Sequence, residues 1–125
     1  IDQLLNLFKE EKFEILLEHA KELLKNYFNS YLIWNIIGAA HKALGRFIEA
    51  LEAFNQTVTI NPNFAEGYNN LGIILREQGK LDDALNAYKK ALSIKPNYAA
   101  AYFNMAIVFK DLKNQENAIV YYKKA

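Results

Sequence analysis

The sequence has no cysteine, and it has only two histidines, two prolines and five glycines among its 125 residues. Without thiols, the chain can form no disulfide, no thiolate zinc site and no cysteine nucleophile. The scarcity of proline and glycine argues against an all-β fold, which needs frequent turns. A net charge of +1 is too small for a protein that neutralises many nucleic-acid phosphates.

Long apolar stretches are also missing. No run approaches the roughly 18 residues that a membrane-spanning helix needs, so we expect no membrane segment. The first residues, Ile-Asp-Gln-Leu-Leu, lack the basic region and apolar stretch of a signal peptide. Both ends of the sequence fall inside helical patterns. We therefore expect the chain to be a fragment of a longer protein, and its compartment stays open.

Few residues of the sequence could act as metal ligands or catalytic groups. His19 and His41 each lack a second ligand at helical spacing on the same face, so we expect no metal site. Ser30 and Ser93 have no histidine partner, and neither a phosphate-binding glycine loop nor a nucleophile elbow occurs. We expect no catalytic residue and no cofactor, and we interpret the chain as a non-enzyme.

The sequence does contain an internal repeat with a period of 34 residues. Pro62 and Pro96 are one period apart in matching surroundings, Ile-Asn-Pro-Asn-Phe and Ile-Lys-Pro-Asn-Tyr. Nine of 34 residues are identical between 31–64 and 65–98, where chance would give about two. The repeat is therefore a property of the architecture.

Residues of one kind recur at each step of 34. Small residues at such positions let two helices approach closely, and aromatic side chains fill the remaining space. The columns are one aromatic set (Trp34, Tyr68, Tyr102), two small sets (Gly38, Gly72, Ala106 and Ala50, Ala84, Ala118), a glycine pair (Gly45, Gly79) and a second aromatic set (Phe54, Tyr88, Tyr122).

Each repeat predicts two helices, because apolar residues recur three and four positions apart on either side of a central glycine. Gly45 and Gly79 suit the left-handed conformation of a helix-ending turn, and Asn63 and Asn97 are expected to cap the helices that follow them. First helices are predicted near 31–44, 65–78 and 99–112, and second helices near 13–27, 47–60, 81–94 and 115–125.

The period, the helix pairs and the columns resemble the tetratricopeptide repeat family. The resemblance implies an all-α fold, a right-handed superhelical solenoid of antiparallel helix pairs. We interpret residues 1–125 as a single array. Its expected divisions are a degenerate or partial repeat at 1–30, repeats at 31–64 and 65–98, and an incomplete repeat at 99–125.

The first repeat departs from the pattern of the others. Glu11 aligns with Gly45, but Leu16 and Ala20 fall where Ala50 and Phe54 stand. Apolar residues nevertheless keep helical spacing through this segment, so we still predict a helix pair there.

Members of this family hold an extended peptide or a helix in a concave groove lined by the first helices of the repeats. The resemblance implies the same for this chain, a protein–protein interaction module whose partner is a protein or peptide. The candidate groove residues are Asn35, Asn69, Asn70, Ile73, Arg76, Phe103, Asn104, Ile107, Lys110 and Lys42.

Two columns within that set suggest how a partner could be recognised. Lys42, Arg76 and Lys110 would form a basic row along the groove and favour an acidic partner, although cations near a helix end are also favoured by the macrodipole. Asn70 and Asn104 could pair with a peptide backbone, since an amide both donates and accepts.

Three alternative functions stay open. Exposed apolar residues at the two ends, Ile1, Leu4, Leu5 and Phe8 at one and Ile119, Val120, Tyr121 and Tyr122 at the other, would favour self-association. The chain could also be the substrate-recruiting region of a larger enzyme. Helical-pair repeats that read RNA fit poorly, because they need a basic groove and a period nearer about 35 residues.

Overall fold

The computed structural model describes residues 1–125, which form eight helices and no strand. Every predicted helix end lies within one residue of an observed one, so the predicted all-α fold is confirmed. The helices are α1 (Asp2–Lys9), α2 (Phe13–Tyr27), α3 (Tyr31–Ala43), α4 (Phe47–Ile60), α5 (Ala65–Glu77), α6 (Leu81–Ile94), α7 (Ala99–Asp111) and α8 (Gln115–Lys124).

The chain divides into two compact units of four helices each. Unit 1, Ile1–Pro62, contains α1 to α4, and unit 2, Asn63–Ala125, contains α5 to α8. Within each unit, consecutive helices are joined in pairs by a three-residue turn. A connection this short makes the two helices of a pair run antiparallel.

The four turns within the pairs share one backbone conformation. Their central residues, Glu11, Gly45, Gly79 and Lys113, have φ angles of 58°, 75°, 79° and 60°, and each is 34 residues from the next. A left-handed φ carries no steric penalty for glycine, whereas it is energetically unfavourable for other residues. Glu11 in the first segment therefore has the same left-handed conformation as the residues 34, 68 and 102 positions later.

Two hydrogen bonds close each of these turns. At the third turn, Gly79 N–H donates to the Arg76 carbonyl at 2.9 Å, and Lys80 N–H donates to the Leu75 carbonyl at 2.9 Å. The other three turns have the same pair of bonds at equivalent positions. This is the Schellman arrangement, which satisfies carbonyl groups that the end of a helix would otherwise leave unpaired.

The core of unit 1 joins its first helix pair to α3. Leu4, Leu16 and Ala20 are fully buried in one cluster with Ile33 and other residues of α3. The expectation that Leu4 is exposed was therefore wrong, because α1 turns this residue toward α2 and α3. Ile1 and Leu5 of the same segment are exposed as expected.

Unit 2 contains two buried clusters. One joins α6 to α7 through Leu85, Tyr88, Met105 and Val108. The other contains only alanines among its buried residues, Ala65, Ala91 and Ala101, with tyrosines packed around them. Alanines at these positions leave room for the rings.

Within two of the pairs, an aromatic ring lies directly against a glycine. A Cβ atom added at Gly38 would come within 2.5 Å of the Phe54 ring, and one added at Gly72 would run into the ring of Tyr88. Both rings are buried. The small and aromatic columns of the sequence therefore meet face to face, and the helices approach as closely as the missing side chain allows.

The first and last helix pairs have residues of other sizes at the equivalent positions. In the first pair the sizes are exchanged, because Leu4 occupies the glycine position and Ala20 the aromatic position, and both are fully buried. In the last pair, Ala106 carries the Cβ atom that the glycines lack. Its aromatic counterpart, Tyr122, is 39% exposed, whereas Tyr88 is only 1% exposed.

The helix N-caps differ from the predicted ones. Phe64 and Tyr98 occupy the N-cap positions of α5 and α7, and neither side chain makes a capping hydrogen bond, so the assignment of these caps to Asn63 and Asn97 was wrong. Only the start of α3 in unit 1 has a capping side chain, where Ser30 Oγ accepts from the Ile33 N–H at 3.4 Å.

The shared turn conformation predicts opposite effects of two substitutions. Glu11→Gly should raise the free energy of unfolding by about 1 kcal/mol, because a non-glycine residue loses roughly that much in the left-handed region. Gly79→Ala should lower it by a similar amount. No atom lies within 4 Å of a Cβ added at Gly79, so this loss would come from the backbone conformation rather than a clash. Urea unfolding of both variants measures the two changes.

Lys113→Gly is the matched control, since Lys113 has a φ of 60° at the equivalent turn. It should stabilise the protein as Glu11→Gly does. A loss of stability in both glycine variants would show that these turns do not hold a left-handed residue in solution.

Candidate functional site

Eight of the ten candidate groove residues belong to unit 2, on α5 and α7. The two helices are in direct contact. Asn70 and Ile73 are three residues apart on α5, as are Asn104 and Ile107 on α7, and such pairs share one side of a helix. All four side chains are half-buried. We call the surface formed by these four residues the α5–α7 face.

Asn69, a fifth candidate, supports this face from beneath. It is only 6% exposed, and its Oδ1 accepts a hydrogen bond from Asn104 Nδ2 at 3.0 Å. Asn69 also hydrogen bonds to the Tyr98 side chain, which opposes the rise in the Tyr98 pKa that burial and the Glu66 carboxylate produce. Asn69 is therefore a positioning residue and not part of the accessible surface.

The bond to Asn69 fixes the orientation of the Asn104 amide. It uses one of the two N–H donors of Asn104, and an asparagine amide also has a second donor and an oxygen that accepts. The half-buried Asn104 side chain can therefore offer both kinds of group to a ligand while it stays anchored.

Arg76 forms an ion pair that links α5 to the end of α7. Its Nε donates to Asp111 Oδ2 at 2.6 Å and its Nη2 donates to Asp111 Oδ1 at 3.4 Å. This hydrogen-bonded carboxylate raises the pKa of Arg76. A two-pronged contact of this kind fixes geometry as well as charge, so Arg76 links the two helices in a defined orientation.

The basic row expected from the sequence is therefore neutralised at Arg76. Besides Asp111, the carboxylate of Glu77 lies 3.9 Å from Arg76. Glu77 and Asp111 are themselves 34 residues apart and directly follow Arg76 and Lys110. This acidic column was visible in the sequence and was missed. Lys110 is the exposed cation that remains in the row within unit 2.

The charge of Arg76 also affects a buried tyrosine in unit 2, Tyr88. Burial raises the pKa of Tyr88, and the positive charge of Arg76 opposes that rise. The Arg76 charge therefore lies near enough to the core of unit 2 to act on Tyr88, whose ring packs on Gly72.

Phe103 is the most exposed apolar candidate. It is exposed on α7, and its ring meets the Tyr122 ring edge-on with centroids 5.6 Å apart. The two remaining candidates, Asn35 and Lys42, lie on α3 in unit 1, and both are half-buried. They belong to the surface of the other unit and are not part of the α5–α7 face.

The side chains considered as metal ligands do not cluster. No group of three or more histidine, aspartate or glutamate side chains is placed to hold a metal ion. Burial lowers the pKa of His41, and its Nδ1 is buried without a hydrogen-bond partner. No helix combines the length and apolar character needed to cross a bilayer.

Several solved structures share this fold. A crystal structure of MamA superposes with a TM-score of 0.91 at 23% identity, over 99% of this chain and 72% of that one. MamA from Desulfovibrio magneticus gives a TM-score of 0.90 at 17% identity, over 98% of this chain and 70% of its own. YrrB, described as a TPR protein with an unusual peptide-binding site, gives a TM-score of 0.84 at 21% identity. The match extends over 94% of this chain and 61% of that one. At these identities the likeness shows the fold alone.

Family models identify the repeats in the sequence itself. No curated protein matches the chain. Two tetratricopeptide repeat models match residues 31–64 and 53–86, and a TPR repeat model matches residues 72–113. Together they extend over about two thirds of the chain. The chain therefore belongs to the tetratricopeptide repeat family.

Proposed function

We propose that unit 2 binds an extended peptide of a partner protein on the α5–α7 face, and that the chain acts by binding rather than by catalysis. The observation that carries this proposal is the pair of asparagine amides at equivalent positions of two adjacent helices. Asn104 is anchored by its hydrogen bond to Asn69. The Arg76–Asp111 ion pair links the two helices that carry the amides.

The spacing of the amides suits a peptide backbone. Packed helices lie roughly 8–10 Å apart, and an extended chain advances about 3.3 Å per residue. Asn70 and Asn104 would therefore meet backbone groups about three residues apart. Backbone pairing does not depend on the peptide side chains, so this contact would give affinity with little sequence preference.

Side-chain preference would come from the apolar half of the face. Ile73 and Ile107 are half-buried, so an apolar side chain of the peptide could cover the rest of their surface. Lys110 would favour an acidic residue at one end of the peptide. Because Arg76 is already paired with Asp111, we propose only a weak preference for acidic partners.

The proposal predicts that Asn70→Ala weakens the binding of different peptides by a similar factor. Peptides would first be selected from a displayed random library, and their affinities measured by isothermal titration. A lost hydrogen bond costs about 0.5–1.5 kcal/mol, so each peptide should bind roughly two- to tenfold more weakly. The substitution leaves the hydrogen bond between Asn104 and Asn69 in place.

Asn86→Ala is the matched control, since Asn86 is an exposed asparagine on α6, outside the face. It should leave every affinity unchanged. Equal effects of the two alanine substitutions would contradict binding at the α5–α7 face.

Self-association is a second candidate function, and the exposed side of α8 favours it. Ile119 is 53% exposed, whereas Leu85, its equivalent on α6, is 8% exposed because α7 covers it. Val120 and Tyr122 add to the same exposed apolar area. We propose that α8 pairs with α8 of a second copy, which would remove this area from water.

Sedimentation equilibrium at several protein concentrations tests the pairing. The apparent mass should rise toward that of a dimer, and Ile119→Glu should keep it at that of a monomer. Asp82→Lys, a charge change on the exposed surface of α6, is the control and should not alter the mass. A monomer mass at all concentrations would contradict the pairing.

A further inference from the structure

Two pairs of lysines recur on the second helices of unit 2. Lys89 and Lys90 are on α6, and Lys123 and Lys124 occupy the equivalent positions of α8, 34 residues later. All four residues are exposed, and none forms an ion pair with a carboxylate of this chain. We call these four residues the lysine patch. It lies on helices other than those of the α5–α7 face and does not depend on the proposed function.

The exposure of these positions is a property of the repeat. Lys89 and Lys90 are exposed although α7 and α8 follow them in the chain. Both equivalent residues of each second helix in unit 1 are exposed as well, namely Lys21, Glu22, Asn55 and Gln56. The exposure of the patch therefore does not rest on the position of α8 at the end of the sequence.

Tyrosine rings locate one lysine of each pair. Lys90 Nζ lies 5.9 Å from the centroid of the Tyr68 ring, and Lys124 Nζ lies 5.9 Å from that of Tyr102, the equivalent residue of the next repeat. Lys124 Nζ also lies 5.1 Å from the centroid of the Tyr121 ring. The face of an aromatic ring attracts a cation but carries no net charge that would neutralise it. Two positive charges are therefore presented in the same way by successive repeats.

Stabilisation of the helix itself does not account for the pair on α6. The macrodipole favours cations in the last turn of a helix, and the last turn of α6 contains no basic residue. No acidic residue stands three or four positions from Lys89 or Lys90. In unit 1, by contrast, Glu22 stands at the position of Lys90 and pairs with Lys25 at 3.0 Å. The lysines of the patch thus have no carboxylate partner within the chain.

The surroundings of the patch favour a short anionic partner over a long one. Exposed acidic residues lie in the first turns of the same two helices, Asp82 and Asp83 on α6 and Glu116 on α8. They would repel an anionic surface that extended along the helices, such as a nucleic acid or a bilayer. An anionic segment that crosses α6 and α8 at the level of the lysines avoids these carboxylates.

A second copy of this chain is a poorer match for the patch. The acidic residues of α2 in unit 1 include Glu14 and Glu22, and these carboxylates already pair with Arg46 and Lys25. Binding them to the patch would break one ion pair for each one formed. The carboxylates are therefore more favourably supplied by another protein.

We propose that the lysine patch binds a short acidic segment of a partner protein, which runs across α6 and α8. Both helices pack against α7. Because packed helices lie roughly 8–10 Å apart, α6 and α8 are at most about 20 Å from each other. An extended chain advances about 3.3 Å per residue, so about six residues cover this distance. Exposed ion pairs are weak individually, so the affinity would come from several contacts together.

The test is a fluorescence anisotropy titration with fluorescein-labelled hexaglutamate at low ionic strength. The double variant Lys89→Gln/Lys123→Gln removes one lysine of each pair and leaves the two over the tyrosine rings. It should bind the peptide roughly two- to thirtyfold more weakly, since two exposed ion pairs are lost. Added sodium chloride should weaken binding to the unchanged protein, because salt screens exposed charges. Failure of hexaglutamate to bind would overturn the proposal.

Lys80→Gln/Lys110→Gln is the matched control, since it removes the same charge from two exposed lysines of unit 2 outside the patch. It should leave the affinity unchanged. An equal loss in the control would overturn the patch, because binding would then follow the net charge of unit 2 or the cation near the α5–α7 face. Circular dichroism should show the same helix content in both variants, since all four substitutions are at exposed residues.

Two further probes separate a protein partner from other polyanions. Phosphatidylserine vesicles and a single-stranded hexanucleotide should bind more weakly than hexaglutamate, and the Lys89→Gln/Lys123→Gln variant should change their binding little. Tighter binding of either probe that is lost in this variant would overturn the assignment of an acidic protein segment.

Discussion

Close approach within each helix pair is the constraint on which the rest of the structure depends. In two pairs an aromatic ring lies on a glycine, and a Cβ atom at that glycine would run into the ring. Because Phe54 and Tyr88 are buried at these contacts, they fix the distance between the helices and the side that each helix presents to its neighbours. Since protein interiors are close-packed, such a contact leaves little freedom to the elements around it.

The candidate site depends on that constraint through α5. Because Gly72 has no side chain, α5 packs closely on the Tyr88 ring of α6. Arg76, one turn later on α5, forms an ion pair with Asp111 at the end of α7. A second link, from Asn104 to Asn69, ties the same two helices. One core contact and two polar contacts therefore support the face, an arrangement that would preorganise its side chains for the proposed peptide.

Helix ends and turns could be predicted from the sequence because residue type and spacing report local backbone conformation directly. The pairing of side chains between repeats was harder to predict than the helix ends. Asn69 and Asn70 are adjacent and identical, yet a helix turns about 100° per residue, so one is buried and the other lines the face. The pairing of Arg76 required comparing two neighbouring columns, since its partner Asp111 lies one period and one residue away.

The central claim is that size complementarity at one contact sets the distance between the two helices of a pair. Exchanging the small and the large residue in the third pair, Gly72 and Tyr88, tests it most directly. Leu4 and Ala20 show that the exchanged arrangement can be fully buried. Gly72→Leu, Tyr88→Ala and the double variant would be compared by urea unfolding. Each single change should destabilise the protein, by about 1–3 kcal/mol for overpacking and about 3–5 kcal/mol for the lost ring. The double variant should lose less than the sum, by about 0.5–3 kcal/mol; additive losses would contradict the claim.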